Sequence, residues 1–404
     1  MMKKLLMVLG AALLLAGCGT DVIDSKTSFA RDEIGRYIDS GEIPGAIAIY
    51  YDNGVQETAC LGYADFASRR PISLDDHYMQ CSQTKGFCGV TIAMLVESGK
   101  ISLDDPVSKY LPEFENLWVC KSATKDSIEL VKAKTPVTIR MCMNHTAGFP
   151  FELPNMNAMG GWARRMPLRS VAATAAGNPL RFEPGTKVQY SNVGIDIGAA
   201  VVEVVTGKPW EVFLKERVLD PLGMTETTFW PSDGQLAKKI EMYEINSGKS
   251  AKWTLHHRSM QRPYGDDRVF ASAGAGLWTT ARDQLKFYKM LMNLGVGDNG
   301  VRILREETVK SLLAKSTRPG ELGGYSLGLN APVDDNENGW FGHGGAWCTQ
   351  CSVNWHRRQL KLLAVQIIGP DTKMIVSAFN AGANNFFKAE AGRNDTDAYT
   401  GRMK

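Results

Sequence analysis

Residues 82–98 read SQTKGFCGVTIAMLVES, and the mismatch within this stretch decides the fold. Phe87, Val90, Ile92, Met94, Leu95 and Val96 fall on nearly every side of a helix, so the helix belongs in a core. Gly99 ends it. Yet the helix opens on a polar Ser-x-x-Lys, and a spacing of three puts Ser82 and Lys85 on one face, a turn apart. Burial and the positive helix end both disfavour an ammonium there, which drives Lys85 toward the neutral amine. Such an amine can take the proton of Ser82, giving a nucleophile without histidine. The backbone N–H of Ser82 lies at the helix start, available to an oxyanion. Ser122-Ala123-Thr124-Lys125 repeats the spacing in a polar stretch with no apolar helix behind it, and reads as chance.

Outward from this helix, the chain alternates in character. A helical pattern runs from Ser28 to Ser40, with Phe29, Ile34, Tyr37 and Ile38 on one side. Residues 45–65, GAIAIYYDNGVQETACLGYAD, form two strand patterns around Asp52-Asn53-Gly54, a hairpin turn. Roughly 105–264 is loop-rich with helices, the best from Val193 to Val205. A helix near Thr280 opens with Thr280 and Asp283 in capping-box positions. Strand-like runs return at 324–331 (GYSLGLNA), 338–345 (NGWFGHGG), 347–355 (WCTQCSVNW) and 360–369 (LKLLAVQIIG), and a last helix spans Thr372 to Lys388. The pattern predicts an α/β fold of the α+β type: an antiparallel sheet built from both chain ends, flanked by helices, with a mostly helical subdomain inserted.

Charge and composition exclude more than they name. The chain has 404 residues, with 46 Lys+Arg against 43 Asp+Glu, which gives no support to nucleic-acid binding. Lys3 and Lys4 precede a short apolar stretch from Leu5 to Ala16, the pattern of a signal peptide. Leu15-Ala16-Gly17-Cys18 resembles a lipoprotein signal. That resemblance implies cleavage before Cys18 and a lipid on its sulfur, hence an exported protein anchored to a bacterial membrane. The expected layout is a signal at 1–17, a tether at 18–27, one domain over 28–388 and a polar, frayed tail at 389–404. Seven cysteines then remain, an odd number. Cys348 and Cys351 fall on opposite faces of a strand, and no second Cys or His pair completes a zinc site. Buried thiols, or one or two bridges to distant partners, are expected; no metal and no cofactor is implied.

Two further motifs surround the first. Tyr190-Ser191-Asn192 precedes the second apolar helix, and alternate residues of an extended segment point into one cleft. A phenol near a lysine can relay a proton, and the Asn192 amide can hold a substrate carbonyl. Gly342-His343-Gly344-Gly345-Ala346 ends a strand-like run whose glycines admit a substrate backbone, with the Ala346 N–H as a second oxyanion donor. No H-E-x-x-H occurs. His256-His257 and Asp266-Asp267 read as solvated loop positions.

In this order the three motifs resemble those of the class C β-lactamase-like serine hydrolases, which include D,D-peptidases, D-aminopeptidases and esterases. Asn144-His145-Thr146-Ala147-Gly148, Glu183-Pro184-Gly185, Pro221-Leu222-Gly223-Met224 and Ser272-Ala273-Gly274-Ala275-Gly276-Leu277 add to the resemblance, over about residues 28–370. It implies an acyl-enzyme on Ser82, with Lys85 and Tyr190 as the proton-handling pair. Asn192 would orient the substrate, and the Ser82 and Ala346 N–H groups would face the oxyanion. Antibiotic-hydrolysing members carry Lys-Thr-Gly where this chain has His343-Gly344-Gly345. Without that ammonium and hydroxyl, carboxylate recognition weakens. The balance moves to esterase or D-amino-acid peptidase or amidase activity on a small molecule or peptide, and away from β-lactamase or D,D-carboxypeptidase activity proper. An inactive peptidoglycan-binding or sensor lipoprotein is the reading from another class.

Overall fold

A computed structural model describes residues 28–153, 165–245, 253–255, 269–334, 336–369 and 372–400. Residues 1–27 with Cys18, His256-His257 and Asp266-Asp267 lie outside the described residues. In chain order the strands are β1 (Gly45–Asp52), β2 (Val55–Asp65), β3 (Arg70–Pro71), β4 (Tyr78–Met79), β5 (Trp118–Ala123), β6 (Ile128–Lys132), β7 (Tyr243–Ile245), β8 (Trp253–Leu255), β9 (Trp278–Thr279), β10 (Phe341–Gly345), β11 (Thr349–Asn354), β12 (Gln359–Ala364) and β13 (Ile367–Ile368). The α-helices among the described residues are α1 (Phe29–Asp39), α2 (Thr84–Glu97), α3 (Ile139–Met143), α4 (Leu168–Thr174), α5 (Asn192–Thr206), α6 (Trp210–Leu214), α7 (Asp233–Leu236), α8 (Ala281–Met292), α9 (Glu306–Leu312) and α10 (Thr372–Thr400).

Both chain ends build the main sheet. Its order is β10-β11-β12-β1-β2-β3, antiparallel throughout, and the β1–β2 hairpin turns at Asn53-Gly54 as its sequence requires. β1 is buried along its whole length because helices cover both faces. Ile47, Ile49 and Tyr51 join the large core with α2 and α5, while Ala46, Ala48 and Tyr50 join a second core under α1 and α10. Ser28 caps α1 by accepting from the Arg31 N–H at 3.2 Å, and Ala there would cost about 1 kcal/mol. The α2 helix is buried from Thr84 through Ala93. A methyl on Gly89 would sit 1.8 Å from the Leu327 carbonyl oxygen, so the helix meets neighbouring backbone directly.

Several expectations need correction. The 324–331 run forms no strand: Gly328 turns with φ +72, Ser326 bonds Leu329, and the segment folds tightly over α2, leaving one isolated bridge from Asn330 to Gly342. The middle segment is less helical than expected, since β5 and β6 pair as a hairpin and β7 and β8 form a small sheet with β13. The Thr280 cap is half a box: its hydroxyl accepts from Asp283 N–H, but the Asp283 carboxylate turns to Glu226 N–H, Thr227 and Lys286. The last helix passes Lys388 and runs to Thr400, and Glu390, placed in the polar tail, is buried. Gly392, just past that expected end, costs only about 1 kcal/mol, too little to stop it. Among the described residues all seven cysteines are free thiols, so no bridge forms, and Cys60 is exposed. Cys348 and Cys351 do fall into the two different cores.

Candidate active site

The site forms where α2, α5 and β10 converge. Ser82 sits in a short 3₁₀ turn, Cys81–Gln83, that leads into α2, and Cys81 before it is held at φ +52. A side chain in that left-handed region is strained, which fixes the turn only because its surroundings are close-packed. The Cys81 thiol is buried and pushed up to about 12, so it is no competing nucleophile.

Lys85 reaches back one turn and is fully buried. Its Nζ lies 3.1 Å from Ser82 Oγ, 2.7 Å from Asn192 Oδ1 and 2.6 Å from the Gly274 carbonyl oxygen. Burial lowers its pKa to about 7 against the opposing pull of Asp196. As a neutral amine, Lys85 donates its two N–H groups to the two fixed carbonyl acceptors. Its lone pair then faces the Ser82 hydroxyl. That is the geometry a general base needs.

Tyr190 closes one side. The Lys85 Nζ lies 4.7 Å from the centre of its ring, and the nearby Ser82 hydroxyl favours the phenolate. Burial nonetheless raises the phenol to about 12. The expectation that Tyr190 and Asn192 enter the cleft as alternate residues of an extended segment needs correction. Ser191 is the N-cap of α5, bonding Gly194 N–H at 3.0 Å, and Asn192 is the first helical residue.

His343 lies on β10, and its Nε2 is 3.5 Å from the Tyr190 hydroxyl. The Tyr325 hydroxyl, at 2.9 Å, donates to the same nitrogen, while Nδ1–H faces the Gly344 carbonyl. Burial first, then Lys85, pushes the imidazole down to about 3. A neutral ring therefore stands where an ammonium would bind carboxylate. Gly344 and Gly345 complete β10, and Ala346 is exposed in the turn beyond. A methyl on Gly345 would lie 2.5 Å from the Gln80 carbonyl oxygen, so the strand abuts the turn bearing Ser82.

Four contributors had no role assigned from sequence. Gly274 supplies the carbonyl on Lys85, and a methyl there would lie 2.8 Å from Asn192. Asp196 on α5 accepts from the Gly274 N–H at 3.1 Å and from Ser272, and burial raises its pKa. A carboxylate set among the apolar residues of 193–202 was the readable signal. His145 packs between Tyr190 and Tyr325, with ring centres at 4.5 and 4.6 Å. Tyr325 was hidden in the run mistaken for a strand. Ser122 and Lys125, by contrast, stay on the exposed β5–β6 hairpin. Among the described residues no cluster of His, Cys, Asp or Glu could hold a metal.

A helix-covered antiparallel sheet with a buried Ser-x-x-Lys at a helix start defines a β-lactamase and penicillin-binding-protein-like fold. The Beta-lactamase family model matches residues 30–366, and the chain belongs to that family of serine hydrolases. Protein Rv1367c of Mycobacterium tuberculosis (strain ATCC 25618 / H37Rv) is 29% identical over 325 residues, covering 76% of this chain and 80% of that protein. A LovD6 mutant of simvastatin synthase from Aspergillus terreus shares the fold with a TM-score of 0.74 at 22% identity, over 89% of this chain and 97% of that one. EstCE1, a hydrolase with promiscuous acyltransferase activity, does so with a TM-score of 0.69 at 20% identity, over 88% and 97%.

Proposed function

We propose that this chain is a class C-like esterase that works through an acyl-enzyme on Ser82. The arrangement of Lys85 carries the reading: two of its hydrogens are committed to Asn192 and Gly274, and its lone pair is aimed at Ser82. Lys85 takes the hydroxyl proton as Ser82 Oγ bonds to the ester carbonyl carbon. The carbonyl oxygen becomes an oxyanion between the N–H groups of Ser82 and Ala346. Tyr190 stays protonated at this stage, since its phenol is pushed up to about 12. It passes its own proton to the leaving alcohol and takes the one held by Lys85, and the ester C–O bond breaks. Water, or an acceptor alcohol, repeats the steps in reverse to release the acyl group.

The lack of charge at the third motif supports esters over β-lactams and free peptide carboxylates. His343 is neutral across the physiological range and Gly344 offers no hydroxyl. Phe151, 47% exposed, stacks on Tyr190 at 6.0 Å and offers an apolar face to the substrate. The test compares kcat/KM for nitrocefin, a short-chain nitrophenyl ester, a D-Ala-D-Ala peptide and a D-amino acid amide. The ester is expected to turn over fastest; nitrocefin ahead of it would overturn the preference.

A further inference from the structure

Beneath the nucleophile turn lies a chain of polar groups that proton transfer does not use. Tyr78 on β4, Gln83 in the turn and Gln284 on α8 are each fully buried. The Tyr78 hydroxyl donates to Gln284 Oε1. Gln284 Nε2 donates to Gln83 Oε1 at 2.8 Å, and Gln83 Nε2 donates to the backbone carbonyl of His343 at 3.1 Å. Tyr78 belongs to the large hydrophobic core, in which Phe87 stacks on Phe287 at 3.7 Å. Apolar side chains of the same size would fill that space without desolvating two amides and a phenol. Stability alone therefore gives the chain no reason to exist.

Position does. β10 is an edge strand of the main sheet, and among the described residues only the single bridge from Asn330 to Gly342 pairs with its free side. Gln83 follows Ser82 directly, and the carbonyl it holds belongs to the strand that ends just before Ala346. We propose that Gln83 and Gln284 are positioning residues for acyl transfer: the buried Tyr78–Gln284–Gln83 chain sets the spacing between the Ser82 and Ala346 N–H donors by gripping β10 at His343. This rests on the acyl-enzyme reading above. An amide chain in which each nitrogen and oxygen has a partner suits the task because it is directional, whereas apolar contacts let a strand slide.

The experiment uses the full chain and the variants Gln83→Met, Gln284→Met and Tyr78→Phe/Gln83→Leu/Gln284→Leu, with kcat, KM and thermal midpoint measured on a nitrophenyl ester. Gln83→Met is expected to lower kcat by about 10- to 100-fold with KM within about twofold, because misplaced donors act on the transition state. Gln284→Met, remote from the reacting atoms, moves kcat the same way by less and serves if Gln83→Met does not fold. The triple variant, with neither an amide nor the phenol left unpaired, regains the thermal midpoint while kcat stays low. A kcat that returns with the midpoint, or one that Gln83→Met and Gln284→Met leave unchanged while the wild type is active, overturns this inference alone. Failure of a fluorophosphonate to label Ser82 in the wild type overturns the acyl-enzyme reading, and this inference with it.

Discussion

Ser82 and Ser122 each stand three residues before a lysine, one pair at the head of a buried helix, the other on an exposed hairpin. On α2 that spacing brings Lys85 Nζ to 3.1 Å from Ser82 Oγ. On β5, successive side chains alternate in direction, and Lys125 falls in the turn beyond the strand. Ser122 Oγ instead donates to Glu129 at 3.3 Å across the hairpin. Surroundings differ as much as geometry. Lys85 is sealed under Tyr190, Asn192 and Gly274, whereas Ser122 and Lys125 lie in water beside Ile128, which is 67% exposed. A short motif acquires chemistry only when the element carrying it aligns the pair and the core desolvates the base.

The largest effect that tests this contrast is loss of the nucleophile. Ser82→Ala is expected to lower kcat/KM for a nitrophenyl ester by roughly 10⁴-fold or more. Ser122→Ala should leave it within about twofold, as surface substitutions do. Steady-state kinetics on both variants decides, and an equal loss would refute the choice of nucleophile.

Next comes the base. With burial lowering Lys85 to about 7 and its neutral amine as the proposed base, kcat/KM of the wild type should rise with pH through that value and level off above it. His145 and His343 are both pushed below the ordinary imidazole range, so this limb is not theirs. Lys85→Arg, permanently charged, should lose about 10²- to 10⁴-fold, while Lys125→Arg should keep both rate and limb. A wild-type limb near the ordinary lysine value would mean that burial does not act on Lys85 as argued.

How far the sequence could reach follows from the same contrast. The sheet from both ends, α1, the β1–β2 hairpin and α2 were legible because apolar periodicity and turn chemistry are local signals. Ser82, Lys85, Tyr190, Asn192 and His343 were legible as types in an order, and the fold does bring them together. What stayed hidden depends on distant backbone. The carbonyl on Lys85 comes from Gly274, far along the chain, and no spacing rule predicts it. Tyr325 was lost because GYSLGLNA alternates like a strand, whereas Gly328 bends it around α2. Nor did the hairpin carrying Ser122 announce itself: β6 is exposed along its whole length, so no buried face imprints its period on the sequence.

The smallest effect probes the environment rather than the motif. Asp196 stands one helical turn beyond Asn192 and is the first of the charges that raise the Lys85 pKa against burial. Asp196→Asn removes that charge but keeps an oxygen able to accept from Gly274 N–H and Ser272, so the carbonyl on Lys85 should stay in place. With the opposing attraction gone, the ammonium is harder to hold, and Lys85 loses its proton at lower pH. The limb of kcat/KM should therefore move toward acid, by about half to one pH unit, with the alkaline plateau little changed. In the wild type burial raises the Asp196 carboxyl itself, so its charge is only partly present near neutrality, which keeps the shift small. The hairpin has no counterpart to this control: Lys125 needs no buried carboxylate, and the nearby Glu129 pairs with Lys121 at 2.7 Å. A limb moving toward alkali would mean that Asp196 opposes the ammonium instead of favouring it. A collapsed plateau with an unmoved limb would make Asp196 a scaffold for Gly274 and leave burial alone to set the base.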